Sequence, residues 1–306
     1  MDNTIDWRLL KKLYAVHSPS GREDKMITFL ISYLQSLPGV KLGKDLYGNL
    51  YAVKGKAETY PCIVSHLDQV QRLHPRDFRA IETRDIIFGF SAKEHSFCGL
   101  GADDKNGIII CLQAIKKYDC MKVVFFKEEE TGCHGSSRAE MKFFDDCRYV
   151  IQCDRRGNSD LITNIGCSDL CSEKFIQDID PAKWGYKEET GMMTDVETLK
   201  ENGLAVSAVN MSCGYYNPHT DEEITVKRDL EKCWKFVQHI IEDAIEVYPH
   251  ETGENYKYGF YEDWEVEDFE RIVAEYHLMY DCDDEDTTNQ TFKPNGKEND
   301  TEEYKF

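Results

Sequence analysis

Residues 107–130 read GIIICLQAIKKYDCMKVVFFKEEE. An apolar helical pattern starts near Asp104, reaches Tyr118 and breaks at Asp119-Cys120. It gives way to Val123-Val124-Phe125-Phe126, an unbroken apolar run that ends in Glu128-Glu129-Glu130. A run apolar at every position suits a strand buried on both faces, and a helix feeding such a strand is part of the unit that builds parallel sheets. Working outward, residues 62–65, 149–153 and 205–211 read as further buried strands, with shorter ones at 50–53, 85–90 and 161–163. Helical patterns cover 4–16 (Ile5, Leu9, Leu10, Leu13 and Val16 on one stripe) and 22–37 (Met26, Phe29, Leu30, Tyr33 and Leu34), parted by Ser18-Pro19-Ser20-Gly21. Others cover 136–144, 195–202, 226–246 and 264–280. The prediction is an α/β fold, a three-layer αβα sandwich around a mixed, mostly parallel central sheet. One domain is expected over residues 1–281, and 282–306 read as an acidic tail with too few apolar groups to fold.

The chain has 306 residues, 41% of them apolar and 12% aromatic, enough for a packed core. Its net charge of −20 comes from 37 basic and 57 acidic residues, which argues against a nucleic-acid partner because phosphate contacts need a positive face. The excess is local: residues 242–306 hold 21 acidic and 5 basic groups, and the 241 before them hold 36 and 32. No stretch approaches the ~18 apolar residues of a membrane span. The opening MDNTIDW lacks the basic and then apolar pattern of an export signal. Twelve cysteines form no CxxC pair, and Cys62, Cys111 and Cys153 sit inside apolar runs. Reduced thiols in a cytoplasmic protein are expected, with no membrane association. These features leave the oligomeric state open.

Polar chemistry collects just past the strands. Residues 62–65 run into His66-Leu67-Asp68, 123–126 into Glu128-Glu129-Glu130, 149–153 into Asp154, and 206–211 lead through a short loop to His219. In an open α/β sheet, ligands bind beyond the carboxyl ends of the strands, where the loops converge. Each fragment alone is ordinary. Two His-x-Asp pairs are about what nine histidines in an acidic chain give by chance, and Asp103-Asp104 reads equally as a helix cap. Three adjacent glutamates, parted from an apolar strand by Lys127 alone, repel one another unless a cation is near. At a strand end, residues two apart share a face, so Asp68 can hold one ring nitrogen of His66 and leave the other for a metal.

The order of the fragments says more. His66-x-Asp68, Gly101-Ala102-Asp103-Asp104-Lys105, Glu129-Glu130-x-Gly132, Asp154 and His219 together resemble the co-catalytic dizinc exopeptidases, a group that includes peptidase T, carboxypeptidase G and the bacterial leucyl aminopeptidases. The resemblance covers residues 18–244. It implies two divalent metal ions bridged by Asp103, one also held by His66 and Asp154 and the other by Glu130 and His219. It further implies Glu129 as general base, Asp68 as its catalytic companion behind His66, and a cis peptide between Asp103 and Asp104. Such a nitrogen and oxygen shell suits zinc, with manganese or cobalt also compatible.

The implied activity is hydrolysis of a peptide bond by an activated water, most simply as a cytoplasmic aminopeptidase on short peptides. The alternatives are hydrolysis of another small amide, such as an N-acyl amino acid, or an inert binding descendant of the fold. One departure stands out. Peptidase T and carboxypeptidase G insert a lid domain before the last histidine, whereas the 64 residues between Asp154 and His219 read as ordinary strands and helices of the same domain. A donor for the developing oxyanion must then come from elsewhere, and Tyr215, Tyr216 and Asn217 are the candidates. Arg155, with Arg156 beside it, is the candidate partner for a substrate carboxylate.

Overall fold

Met121–Phe126 forms a strand with every side chain buried, and its residues part by alternation. Val123 and Phe125 join one apolar cluster, Val124 and Phe126 another. Tyr60–His66 and Cys147–Arg155 divide in the same way, with Ile63 and Ile151 on the first face and Val64 and Val150 on the second. Strands apolar on both faces need cover on both, so this sheet is the middle of three layers.

The computed structural model describes residues 4–166 and 168–251, all within one compact unit. Helices α1 (Trp7–Tyr14) and α2 (Asp24–Gln35) open the chain, followed by strands β1 (Val40–Lys44), β2 (Leu50–Lys54) and β3 (Tyr60–His66). Next come β4 (Phe78–Glu82), β5 (Ile86–Ser91), β6 (Ser96–Phe97), α3 (Ala102–Lys117) and β7 (Met121–Phe126). Strands β8 (Cys147–Arg155), β9 (Asp160–Ile165) and β10 (Ser168–Asp169) precede α4 (Glu173–Ile179), β11 (Lys187–Gly191) and α5 (Asp195–Glu201). Strands β12 (Ala208–Ser212), β13 (Tyr215–Tyr216) and β14 (Ile224–Val226) lead into α6 (Lys227–Asp243).

The large sheet runs β1-β2-β7-β3-β8-β12-β9-β10, with β11 beside β9. Its centre, β7-β3-β8-β12, is parallel, and antiparallel pairs flank it. The first apolar cluster joins it to α1, α2, α3, α4 and α6, and the second to α5 and the turn at Phe144. The α/β sandwich is therefore the predicted one. Because the four central strands point the same way, the residues after them share one edge.

A second sheet, β13-β14-β5-β4 with β6 on β5, was not foreseen; only its 85–90 strand was legible. The helix predicted at 136–144 is instead two 3-10 turns, Ser136–Arg138 and Met141–Phe144. The Glu140 amide donates to the Tyr51 hydroxyl at 2.9 Å instead of to a helical carbonyl, which breaks the segment. Helix α4 and strand β11 were also missed; β11 is polar along nearly all its length. The predicted helix at 264–280 and the tail at 282–306 lie outside the described residues. Between Asp154 and His219 lie β9 to β12 of the large sheet with α4 and α5, and then β13 of the second sheet. The ten described cysteines are all free, and no helix among the described residues is long and apolar enough to cross a membrane.

Candidate metal centre

His66 ends β3 with its side chain fully buried, and its Nδ1 lies 3.1 Å from the Asp68 carbonyl. A carbonyl only accepts, so Nδ1 carries a proton and the Nε2 edge faces the cleft. There Nε2 lies 3.1 Å from Asp103 Oδ1, 3.7 Å from Asp154 Oδ1 and 3.9 Å from Glu129 Oε2. The other oxygen of Asp103, Oδ2, lies 3.3 Å from His219 Nε2, which is also 3.1 Å from Glu130 Oε2. Asp103 thus stands between the two imidazoles, one oxygen to each. Ligand atoms of His66, Glu129 and Asp154 lie within 4.8 Å of one another, as do those of His66, Asp103 and Glu130.

Each group has a local reason for its place. The Asp103–Asp104 peptide is cis, as the resemblance implied. Asp104 turns away from the cleft: its Oδ1 accepts from the Gly107 amide at 2.9 Å, so it caps α3, and its Oδ2 accepts from the Ser65 hydroxyl at 2.5 Å. Asp68 does more than orient His66. Its Oδ1 accepts from the Glu129 amide at 3.0 Å, and its Oδ2 from the Glu130 amide at 3.2 Å and the Ser20 hydroxyl at 2.7 Å. One buried carboxylate therefore fixes the backbone of both glutamates. The turn they belong to closes through Gly132 and Cys133 amides that donate to the Glu129 carbonyl, and Gly132 takes φ +116°, open to glycine at little cost. Glu128 points outward, accepting from the Tyr47 hydroxyl.

Asp154 receives the Tyr215 hydroxyl at 3.2 Å and a Gln152 amide N–H at 3.1 Å, while its backbone exchanges two bonds with the Asn210 side chain. Gln152 also donates to Asp195 and accepts from the Thr194 hydroxyl, so α5 braces Asp154 from behind. Glu223, buried completely, accepts from the Gly101 and Asp103 amides. The sequence reading missed Gln152, Asn210, Glu223 and the bracing role of Thr194 and Asp195. A polar residue inside a predicted strand, or one alternating into it, was the available signal.

The electrostatics are those of crowded anions. Burial, with repulsion from neighbouring carboxylates, pushes Glu129, Glu130 and Asp154 above their ordinary range. Burial acts on Asp103 in the same sense, but hydrogen bonds from His219 and His66 outweigh it and hold this carboxyl low. His219 is pushed up to about 11 by its bonds to Asp103 and Glu130. Burial would lower His66, yet the charge of Asp154 and the bond to Asp103 raise it. Asp195 is pushed up to about 6 by burial. Glu130 Oε1 is buried and has no hydrogen-bond partner, an acceptor that only a cation or a donor from outside the chain would satisfy. With two imidazole nitrogens and four carboxylates around it, the donor set fits hard or borderline divalent cations.

Above the cluster lies a cleft of about 280 Å³, lined by Asp103, Glu129, Glu130, Asp154, Arg155, Arg156, Met193, Tyr215, Pro218 and His219. A larger hollow of about 760 Å³ beside Trp7, Lys11 and Trp234 shares no residue with it. Of the candidate substrate contacts, Tyr215 and Arg155 reach the cleft, the arginine also pairing with Asp160 at 3.4 Å. Tyr216 and Asn217 do not line it. The Tyr216 hydroxyl donates to Asp229 at 2.7 Å, and the Asn217 amide to the Glu222 carbonyl at 3.3 Å.

No protein-family model and no curated protein matches the chain. Among solved structures it is similar to aminopeptidase PepT from Bacillus cereus, at 14% identity over 78% of this chain and 98% of that one, with a TM-score of 0.62. A tripeptidase from Staphylococcus aureus matches at 15% identity over 77% and 96%, TM-score 0.62. An aminopeptidase from the archaeon Desulfurococcus kamchatkensis matches at 18% over 77% and 94%, TM-score 0.59. The chain shares their fold.

Proposed function

We propose that the protein is a dimetal exopeptidase, most simply an aminopeptidase that hydrolyses short peptides. The observation that carries the reading is Asp103 with one oxygen toward His66 and the other toward His219, the posture of a carboxylate shared by two cations. Charge supports it. Fully ionised, Asp103, Glu129, Glu130 and Asp154 would bear four negative charges, which two divalent ions would neutralise. His66, Asp154 and Asp103 would hold one ion, and His219, Glu130 and Asp103 the other. Bound there, such ions, zinc by preference, would supply an activated water and polarise the scissile carbonyl.

The chain's own residues do the rest. Glu129 takes the proton of the attacking water and returns it to the leaving amine, the role of a carboxylate beside the attacking water. Asp68 fixes that glutamate by its amide. Tyr215 holds Asp154 in place, and Arg155 and Arg156 line the rim where a peptide carboxylate would lie. The small cleft favours short substrates. A second reading, hydrolysis of N-acyl amino acids, uses the same groups.

Protein purified without added metal and assayed by elemental analysis is expected to carry close to two divalent ions per chain. Chelation is expected to abolish release of free amino acids from di- and tripeptides, and readdition of zinc, manganese or cobalt to restore it. Turnover of N-acyl amino acids alone would overturn the aminopeptidase reading, and full activity in chelator would overturn the metal reading.

A further inference from the structure

Glu223 and Thr225 are spaced by two at the entry to β14, and side chains so spaced lie on one side of an extended backbone; Asp221 lies in the turn just before them. All three face the segment that leads into α3. Asp221 Oδ1 accepts from the Gly99 amide at 3.1 Å, Glu223 Oε2 from the Gly101 amide at 2.5 Å, and Glu223 Oε1 from the Asp103 amide at 3.0 Å. The Thr225 hydroxyl donates to Asn106 Oδ1 at 3.2 Å. Two loops far apart in sequence, one bearing His219 and the other Asp103, are laced together by these contacts.

The two halves of the metal centre are supported unequally. His66 and Asp154 ride on the neighbouring strands β3 and β8, which pair in parallel within the centre of the sheet. His219 lies in a loop, at φ +68°, with half its side chain exposed. It sits in the loop of the β13–β14 hairpin, and neither of those strands pairs with the segment bearing Asp103. Glu223 links that hairpin to the Asp103 segment. Fully buried, four residues beyond His219, it engages both its oxygens with the amides on either side of Ala102.

We infer that Glu223 is a positioning residue that sets the separation between Asp103 and His219, and thereby the affinity of the outer cation position formed with Glu130. It acts through those residues and binds no metal itself. The inference rests on the dimetal reading above.

The test is titration of the metal-free full chain with Co2+, followed by calorimetry and by visible absorption of the bound ion. Wild type is expected to take two equivalents. Glu223→Gln keeps the side chain's volume but turns a donor toward one amide. Its first equivalent is expected within about twofold of wild type. The second is expected to weaken about tenfold or more, the scale of one lost charge-assisted hydrogen bond, with an altered absorption band. Glu223→Ala is expected to act in the same direction and further, whereas Asp221→Asn, whose hydrogen bond from the Gly99 amide lies outside the turn bearing Asp103, is expected to stay near wild type. Circular dichroism and melting curves establish that each variant is folded. Two wild-type affinities with an unchanged band in Glu223→Gln would overturn the inference, and so would equal weakening of both equivalents. A wild-type chain that takes fewer than two equivalents would overturn the dimetal reading and this inference with it.

Discussion

Asp68→Asn is the substitution on which the organisation of the centre can be judged most directly. The wild-type carboxylate accepts three hydrogen bonds, from the amides of Glu129 and Glu130 and the hydroxyl of Ser20, at 3.0, 3.2 and 2.7 Å, and it is buried. Those bonds and His66 hold its pKa down against the effect of burial. An asparagine replaces one oxygen by an NH2 group, and whichever way the amide turns, that group meets a backbone N–H. Ser20 can rotate its hydroxyl to compensate; an amide cannot. One bond to a charged acceptor, worth about 1.5–3 kcal/mol, is lost, and the remaining ones become neutral and weaker. The expected loss of folding stability is about 2–4 kcal/mol. Urea denaturation in chelator measures it without a contribution from bound metal. Activity is expected to fall as well, because Glu129 loses its anchor. A variant within about 0.5 kcal/mol of wild type, the range of an inconsequential surface change, would refute the argument that this one side chain sets the glutamate turn.

Three further outcomes follow from the geometry. Glu129→Gln is expected to lower kcat by about 10²–10⁴-fold with both metal equivalents retained, measured by steady-state kinetics beside elemental analysis; loss of metal instead would make Glu129 a ligand. Burial, with the charges of Lys105 and His17, lowers His74 to about 3 from an ordinary 6.5. The unfolded chain then binds the extra proton between those values, so stability is expected to fall as pH drops through that window, and His74→Phe to flatten the slope in urea titrations. Phe125→Ala removes a ring that is fully buried in the larger apolar cluster, and thermal or chemical unfolding is expected to show a loss of about 3–5 kcal/mol.

Much of the candidate site was legible because strands place its residues. A uniformly apolar run announces a buried strand, and the first polar groups after it fall on the sheet's edge whatever else the chain does. His66, Glu129, Glu130 and Asp154 fall there, and their order along the chain is what pointed to a shared site. The loops were harder. Asn217 and Tyr216 sit next to His219 in sequence, but positive backbone angles at Asn217 and His219 turn the chain between them, and both side chains find partners outside the cleft. Gln152 and Glu223 were hidden for a different reason. A buried polar residue is indistinguishable from an exposed one until its distant partners are known, and those partners are backbone amides or residues of other elements. Strand β11 was hidden because an edge strand needs backbone partners more than apolar side chains.

The parallel pairing of β3 with β7 and β8, and of β8 with β12, has a consequence for how this molecule comes to life. None of those neighbours is adjacent in sequence, so loops must close over long spans before the edge bearing the candidate site exists. Helical signal is expected to return early in refolding, and the meeting of His66, Asp103, Asp154 and His219 late. No fragment ending before β12 would bring those four side chains together, and a nascent polypeptide lacks the cluster until nearly the whole sheet has been threaded.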